Sequence, residues 1–338
     1  MDIKPVLQKL STGADLSTSD MGDAMDIIMN GQASGSQIGA FLMGLRVKGE
    51  TSDEIAAAVA ILRDKMVPVK APEDAIDIVG TGGDGAGTYN ISTATAIVVA
   101  AAGVAVAKHG NKALSSKSGS SEALQALGVK LDLGPEGISR CINKANIGFM
   151  FAPNHHPAMR YVGPTRAEMG TRTMFNLLGP QSNPAGVKRY LLGVYSREWV
   201  EVVAAALLAN GAVSAWVVHG SDGLDEITTT GPTFVTAIEN KSLRSFEISP
   251  QDAGLAISRP QDLTGGDPEH NARAIIALFD GEQGAYRDIV LINAAAALII
   301  AGKAGDLKEG AEMAAQLIDS SKAAQTLARL VAISNEQQ

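Results

Sequence analysis

Residues 77–122 read DIVGTGGDGAGTYNISTATAIVVAAAGVAVAKHGNKALSSKSGSSE. The apolar run Ile76–Val79 predicts a strand. Gly80-Thr81-Gly82-Gly83-Asp84-Gly85-Ala86-Gly87 ends it, because glycine at this density favours turns and close backbone approach. Asn90, Ser92 and Thr93 then offer N-cap oxygens to a helix over Ala94–Ala102, which Gly103 stops. Val104–Ala107 reads as a second strand. A second polar loop, His109 to Ser121, leads into a helix over Glu122–Leu127. Strand, small-residue loop and helix thus occur twice in succession, the alternation of an α/β fold with a mostly parallel sheet.

Such loops suit phosphate. Free backbone N–H groups at a helix N-terminus form an anion site. Glycine lets the anion approach, hydroxyls add donors, and Lys108, Lys112 and Lys117 add charge. Two such loops suggest two anionic groups on one ligand; ordinary βα turns, which also favour Gly and Ser, are the competing reading. Two familiar motifs fail. A Walker A loop ends in Gly-Lys-Ser/Thr, but Gly85 is followed by Ala86 and Gly87. Gly80-x-Gly82-x-x-Gly85 matches the dinucleotide fingerprint, which also wants an acidic residue after the next strand. Ala100–Lys108 contains no carboxylate.

Taken together, several motifs resemble the anthranilate phosphoribosyltransferase family of tryptophan biosynthesis. They are Gly80–Gly85, Thr88–Thr93, Lys108–Asn111, Ser115–Gly119, Gly163–Arg166, Arg172–Pro180 and Asp225-Glu226, in that order along nearly the whole chain. The departures are small. Tyr89 stands where Phe is commoner, and Gln181-Ser182 stand where an apolar residue and Thr are usual. Lys112 replaces a commoner Arg, which keeps the charge and loses the bidentate fork.

The resemblance implies a helical domain over residues 1–70, with 165–185 packing back onto it. It also implies an α/β domain over 75–164 and 186–338, and a homodimer through the N-terminal helices. Phosphoribosyl pyrophosphate would be held by Gly80, Gly83, Asp84, Thr88, Asn90, Ile91, Ser92, Thr93, Lys108, His109, Gly110, Asn111, Lys112, Ala113, Leu114, Ser115, Ser116 and Ser120. Anthranilate would meet Gly80, Asn111 and Arg166. Two Mg²⁺ ions per monomer would rest on Ser92, Asp225 and Glu226.

Composition narrows the class. The chain has 338 residues, 46% hydrophobic and only 4% aromatic, so its core is built of Ala, Val, Leu and Ile. A net charge of −8 argues against a nucleic-acid surface, and an anionic substrate must be drawn in by local lysines and arginines. The lone Cys141 rules out an intrachain disulfide and suits a reducing cytosol. The N-terminus lacks the apolar core of a signal peptide. The longest apolar run, Ile289–Gly302, is broken by Asn293 and falls short of the ~20 residues a membrane span needs. A cytoplasmic protein without membrane segments is expected.

Residues 1–70 predict short helices. One opens at Ser17–Asp20 and ends near Gly31; another opens at Ser34 or Ser36 and runs to Gly49. A third, Ile55–Met66, follows the capping box Thr51-x-x-Glu54 and buries Ile55, Val59, Ile61 and Leu62. Met21, Met25, Met29 and Met43 read as packing residues. Residues 67–74, with two prolines, read as a linker or hinge. Further strands are expected at Val129–Leu133, Gly148–Phe151, Tyr190–Val194 and Ala215–Val218, and exposed β structure at Ile227–Thr236 and Ser242–Ile248. Thr165–Leu178 reads as one helix closed by Pro180 and Pro184, and the chain is mostly helical from Asn271.

Asp225 and Glu226 follow a strand, where open α/β sheets bind ligands. Neighbouring carboxylates there suit Mg²⁺; a solvated acidic turn is the bland alternative. Arg166 can clamp a carboxylate through two parallel hydrogen bonds. His109 reads as a shaping residue. The adjacent His155 and His156 point in different directions, which disfavours chelation, and they are placed along the aromatic substrate's approach. No Ser-His-Asp or Cys-His pattern stands out. A pyrimidine nucleoside phosphorylase, which would take inorganic phosphate, is the nearest rival. A non-catalytic relative that binds nucleic acid would want a basic groove with aromatics.

Overall fold

Three capping boxes set the first helices. The computed structural model of the chain describes residues 2–112 and 118–336. It begins with α1 (Lys4–Ser11), α2 (Thr18–Met29), α3 (Gly35–Lys48) and α4 (Ser52–Asp64). Ser17 with Asp20, Ser34 with Gln37 and Thr51 with Glu54 each satisfy two orphan backbone donors at a helix start. Ile55, Val59 and Leu62 are buried as their spacing predicts while Ile61 is only half-buried, and Met21, Met25 and Met29 are buried. Met43 is not: it is 42% exposed, and Val47 one turn on is 80% exposed.

Glu54 does more than cap. Its buried carboxylate accepts the N–H of Thr51 at 2.8 Å and of Leu16 at 2.8 Å, and pairs with Lys48 at 3.0 Å. Lys48 also reaches Asp15 at 2.7 Å, so it keeps a partner without Glu54. Glu54→Ala should therefore cost about 2 kcal/mol, mainly for two stranded N–H groups. Urea unfolding measures this, and a midpoint equal to wild type would refute it.

The second part alternates strands and helices: β1 (Ile76–Gly80), α5 (Ile91–Ala101), β2 (Val106–Gly110), α6 (Ser120–Ala126), α7 (Pro135–Ala145) and β3 (Ile147–Phe151). An excursion follows through α8 (Ala152–His155), α9 (Gly163–Met169) and α10 (Phe175–Gln181). The sheet resumes with β4 (Arg189–Gly193), α11 (Trp199–Ala209), β5 (Ser214–Gly220), β6 (Thr233–Glu239) and β7 (Ser242–Ile248). The chain ends in α12 (Pro268–Phe279), α13 (Ala285–Ile300), α14 (Leu307–Asp319) and α15 (Lys322–Ser334). The sheet order is β3-β2-β1-β4-β5-β6-β7; the first five strands are parallel, and the β5-β6 and β6-β7 pairs are antiparallel. α9 packs on α3, α10 on α4, and Arg63 of α4 donates to the Gln181 carbonyl at 2.7 Å. The start of the linker is bonded, Val67 N–H to His155 O at 2.8 Å and Val69 N–H to Pro184 O at 3.0 Å.

Several expected boundaries move for identifiable reasons. β2 runs on through Lys108 and His109, because the Lys108 amine finds Ile78 O at 2.6 Å and the His109 N–H finds Asp77 at 3.1 Å. Residues 129–133 are not a strand; Val129 N–H closes a turn onto Leu124 O, and Lys130 N–H goes to Ser334 Oγ. The expected helix over 165–178 is two, because Gly170 takes a left-handed conformation (φ 59°) and caps α9. Pro180 lies inside α10 rather than beyond it. β6 starts only at Thr233 and is mostly buried, while β7 is the exposed edge. Among the described residues no helix is long and apolar enough to cross a membrane.

Candidate active site

The sheet reverses its winding between β1 and β4, and the carboxyl ends of these strands leave a crevice where ligands bind in open α/β folds. β1 ends in Gly80 and β4 in Gly193, paired in register. A Cβ on Gly193 would lie 1.5 Å from the Asp225 carbonyl, and one on Gly80 would lie 2.4 Å from its carboxylate. Both glycines are required because the loop after β5 lies directly on them. Asn293 of α13 holds that loop, accepting Ile227 N–H at 3.0 Å and donating to Ile227 O at 2.8 Å. Gly82 donates its N–H to Asp225 Oδ2 at 2.6 Å, across 143 residues of chain. Ser92, in the first turn of α5, donates its N–H to Glu226 Oε1 at 3.2 Å.

The acidic doublet thus meets the glycine-rich loop and the α5 N-terminus. Burial first, then the Asp84 charge, pushes the Asp225 carboxyl up; burial and then Asp225 do the same to Glu226. Burial also lowers Lys108, against the pull of Asp77, Glu226 and Asp225. Each group is thereby driven towards its neutral form, and a divalent cation would reverse this for the carboxyls. Two carboxylates and the Ser92 hydroxyl are hard oxygen donors that fit Mg²⁺. Among the described residues no group of three or more His, Cys, Asp and Glu side chains is placed to cage a metal. Mg²⁺ is commonly bound through one or two carboxylates, with water and substrate phosphates completing its shell.

One polar cavity gathers the expected donor residues. The glycine-rich loop brings Gly80, Gly83, Asp84, Thr88 and Asn90; α5 brings Ile91, Ser92 and Thr93. The end of β2 and the loop after it bring Lys108, His109, Gly110, Asn111 and Lys112, and α6 brings Ser120. Ala113, Leu114, Ser115, Ser116 and Lys117 lie outside the described residues. α5 begins at Ile91, earlier than expected, and Asn90 precedes it without capping it. Its side chain instead bonds Ser118 O at 3.3 Å and accepts from Asn271 of α12 at 2.8 Å, joining the two loops.

A second cavity, of about 280 Å³, adjoins the first and shares Gly80, His109, Gly110 and Asn111 with it. Met159, Phe175, Pro153 and Pro180 make it mostly apolar. Arg166 is its cation: the guanidinium lies 5.4 Å from the Phe175 ring, Nη2 donates to Asn176 at 3.4 Å, and Nε is buried without a partner among the described residues. His109 and His156 stand 5.1 Å apart. Burial lowers both, His156 to about 4, so both are neutral at pH 7. His155 turns away, and its Nδ1–H donates to Val67 O at 2.9 Å. Only His156 of the expected pair lines the cavity.

Comparison with known proteins decides the family. Residues 4–66 match the helical bundle domain of a glycosyl transferase family and residues 72–324 its α/β domain. An anthranilate phosphoribosyltransferase of Rhodopseudomonas palustris (strain HaA2) is 58% identical, over 99% of both chains. The chain belongs to the anthranilate phosphoribosyltransferase family. It is an enzyme of the glycosyltransferase class. The Thermus thermophilus member superposes with a TM-score of 0.93 at 41% identity, over 99% of this chain and 100% of that one. The Saccharomyces cerevisiae member, solved with PRPP and Mg, superposes with a TM-score of 0.91 at 29% identity, over 98% and 97%. It has also been solved with 4-fluoroanthranilate.

In this anthranilate phosphoribosyltransferase family member, the two departures after Pro180 are turned inward. Gln181 Nε2 bonds Leu177 O and Ser182 Oγ bonds Leu178 O, each at 2.9 Å, so both cap their own helix. Lys112 is exposed on the rim of the polar cavity. The structure also places residues that motif reading passed over. Asp77, fully buried and pushed up to about 6 by burial, accepts the His109 N–H at 3.1 Å and the Asn183 amide at 2.7 Å. It ties β1 to β2 and to Asn183, in the segment that follows α10. A carboxylate inside an apolar strand run was the available signal. Asn293 was another, as the polar break in the longest apolar run.

Proposed function

We propose that the chain transfers the phosphoribosyl group of phosphoribosyl pyrophosphate to the amine of anthranilate. The products are N-(5-phosphoribosyl)anthranilate and pyrophosphate, in the second step from chorismate to tryptophan. One observation carries the reading: a polar, glycine- and lysine-lined cavity and an apolar, arginine-bearing cavity meet at Gly80 and Asn111. The diphosphate lies across the two loops, under Ser92, Lys108 and the residues that follow β2. Anthranilate enters beside Arg166, which takes its carboxylate, while Asn111 and the Gly80 backbone face its amine.

Ser92, Asp225 and Glu226 would hold the Mg²⁺, two ions per monomer in this reading, and the metal would supply positive charge to the pyrophosphate leaving group. When bound, Mg²⁺ neutralises the oxyanions of the departing pyrophosphate. Lys108 and the loop N–H groups add to that stabilisation. The hard step is departure of pyrophosphate with positive charge building on the ribose. An aromatic amine is already neutral at pH 7, so the chain's task is to place it opposite the leaving group. The neutral His109, buried, and His156, half-buried, shape that side without supplying a strong base. Mixing protein, Mg²⁺, donor and anthranilate should extinguish anthranilate fluorescence. Persistence of the signal would overturn the reading.

The same proposal includes a homodimer through the N-terminal helices. It is supported by Met43 and Val47, which stand one turn apart and exposed on α3. Light scattering should give twice the 34.9 kDa chain mass, and Val47→Glu should shift the protein towards monomer. A wild type that is monomeric at micromolar concentration would refute the dimer. Residues 67–74 are the hinge between the two parts in this reading.

A further inference from the structure

The turn joining α9 to α10 carries Arg172 over the glycine-rich loop. Its Nη2 donates to the Gly83 carbonyl. Its guanidinium carbon lies 4.4 Å from the centre of the Tyr195 ring. Tyr195 in turn donates its backbone N–H to Thr81 Oγ1 at 3.0 Å, and Thr81 N–H meets Gly193 O at 3.0 Å. The loop is therefore held at Thr81 and at Gly83 by one stacked arginine and the residue beneath it. The turn is itself fixed from the acceptor side: Asn176 Oδ1 accepts the Thr173 N–H at 3.0 Å and faces Arg166 at 3.4 Å.

Gly82, Gly83 and Gly85 sit at φ 66°, 75° and 75°, a region open to glycine among many others. A loop with that much freedom needs outside ties to stay in one form; Asp225 supplies one at Gly82, and Arg172, an exposed side chain that lines neither cavity, supplies another at Gly83. We propose that Arg172 is a positioning residue for the reaction: it latches the glycine-rich loop in its phosphate-binding form from the segment that carries Arg166. The proposal rests on reading that loop as the donor site. Arginine suits the role because its planar group stacks on an aromatic ring and donates a hydrogen bond at once. Without the latch, the donor must order the loop as it binds, and its apparent affinity falls by the fraction of loops already in the binding form.

Calorimetric titration of phosphoribosyl pyrophosphate with Mg²⁺, and separately of anthranilate without donor, into wild type, Arg172→Lys and Arg172→Ala tests this. Arg172→Ala should weaken donor binding about tenfold, and Arg172→Lys by less. Anthranilate affinity and melting temperature should stay at the wild-type values. Equal donor affinity in wild type and Arg172→Ala overturns the latch. So does a parallel loss of both affinities with a lower melting temperature, which marks a general structural role. A wild type that does not bind the donor at all overturns the donor-site reading itself.

Discussion

Asp225→Asn combined with Glu226→Gln should lower kcat/KM about a thousandfold at millimolar Mg²⁺ and shift the Mg²⁺ titration to higher concentration, in a chain that stays folded. Removing one preorganised charge stabiliser from a leaving group costs about 10²–10³ in rate, and the doublet holds the metal for both leaving oxyanions in the proposed site. Folding should survive because the amides keep the oxygens that accept Gly82 N–H and Ser92 N–H. They also remove two carboxylates, Asp225 buried and Glu226 half-buried, whose desolvation and mutual repulsion disfavour charge. Without metal, the variant should melt no lower than wild type. Pyrophosphate with Mg²⁺ should raise the melting temperature of wild type, since a ligand that binds only the folded state stabilises it, and should leave the variant unmoved. An unchanged Mg²⁺ titration would remove the metal role of these residues.

The parallel part of the fold was legible because β1 and β2 are short apolar runs followed by loops that cannot extend them. The helical part was legible because Ser17, Ser34 and Thr51 each stand three residues before an acid or amide. Several of the failures share one cause, the satisfaction of polar groups by distant partners. Lys108 and His109 look like the end of a strand, yet β2 continues through them on bonds to Ile78 and Asp77. Asn90 looks like a cap, yet spends its side chain on Ser118 and Asn271. The doublet at 225–226 is readable as a motif, but its place is not. Only Gly80 and Gly193, opposed across β1 and β4, leave room for it, and Gly193 says nothing until the strands are paired. Local pattern reveals which residues are special; the three-dimensional partner decides what they do.

The same limit applies to the two arginines of the α9–α10 excursion. They are close in sequence, yet the structure sends one into the apolar cavity and the other onto the glycine-rich loop. Arg166→Ala should raise the KM for anthranilate about a hundredfold, while the KM for phosphoribosyl pyrophosphate changes less than about threefold, since a charge-assisted bidentate clamp is worth roughly 2–3 kcal/mol. Arg166 is half-enclosed by apolar side chains, and its buried Nε has no partner among the described residues, so an incoming carboxylate meets a desolvated cation in want of a second acceptor. Arg166→Lys should recover only part of the loss, because a point charge cannot form the fork. Steady-state fluorescence kinetics with each substrate varied in turn separates the two constants. Arg172→Ala should show the opposite split, weakening the donor and sparing the acceptor. If Arg166→Ala moved both constants equally, it would have disturbed the shared wall at Gly80 and Asn111 rather than a carboxylate clamp, and the acceptor would have to be placed elsewhere in the apolar cavity.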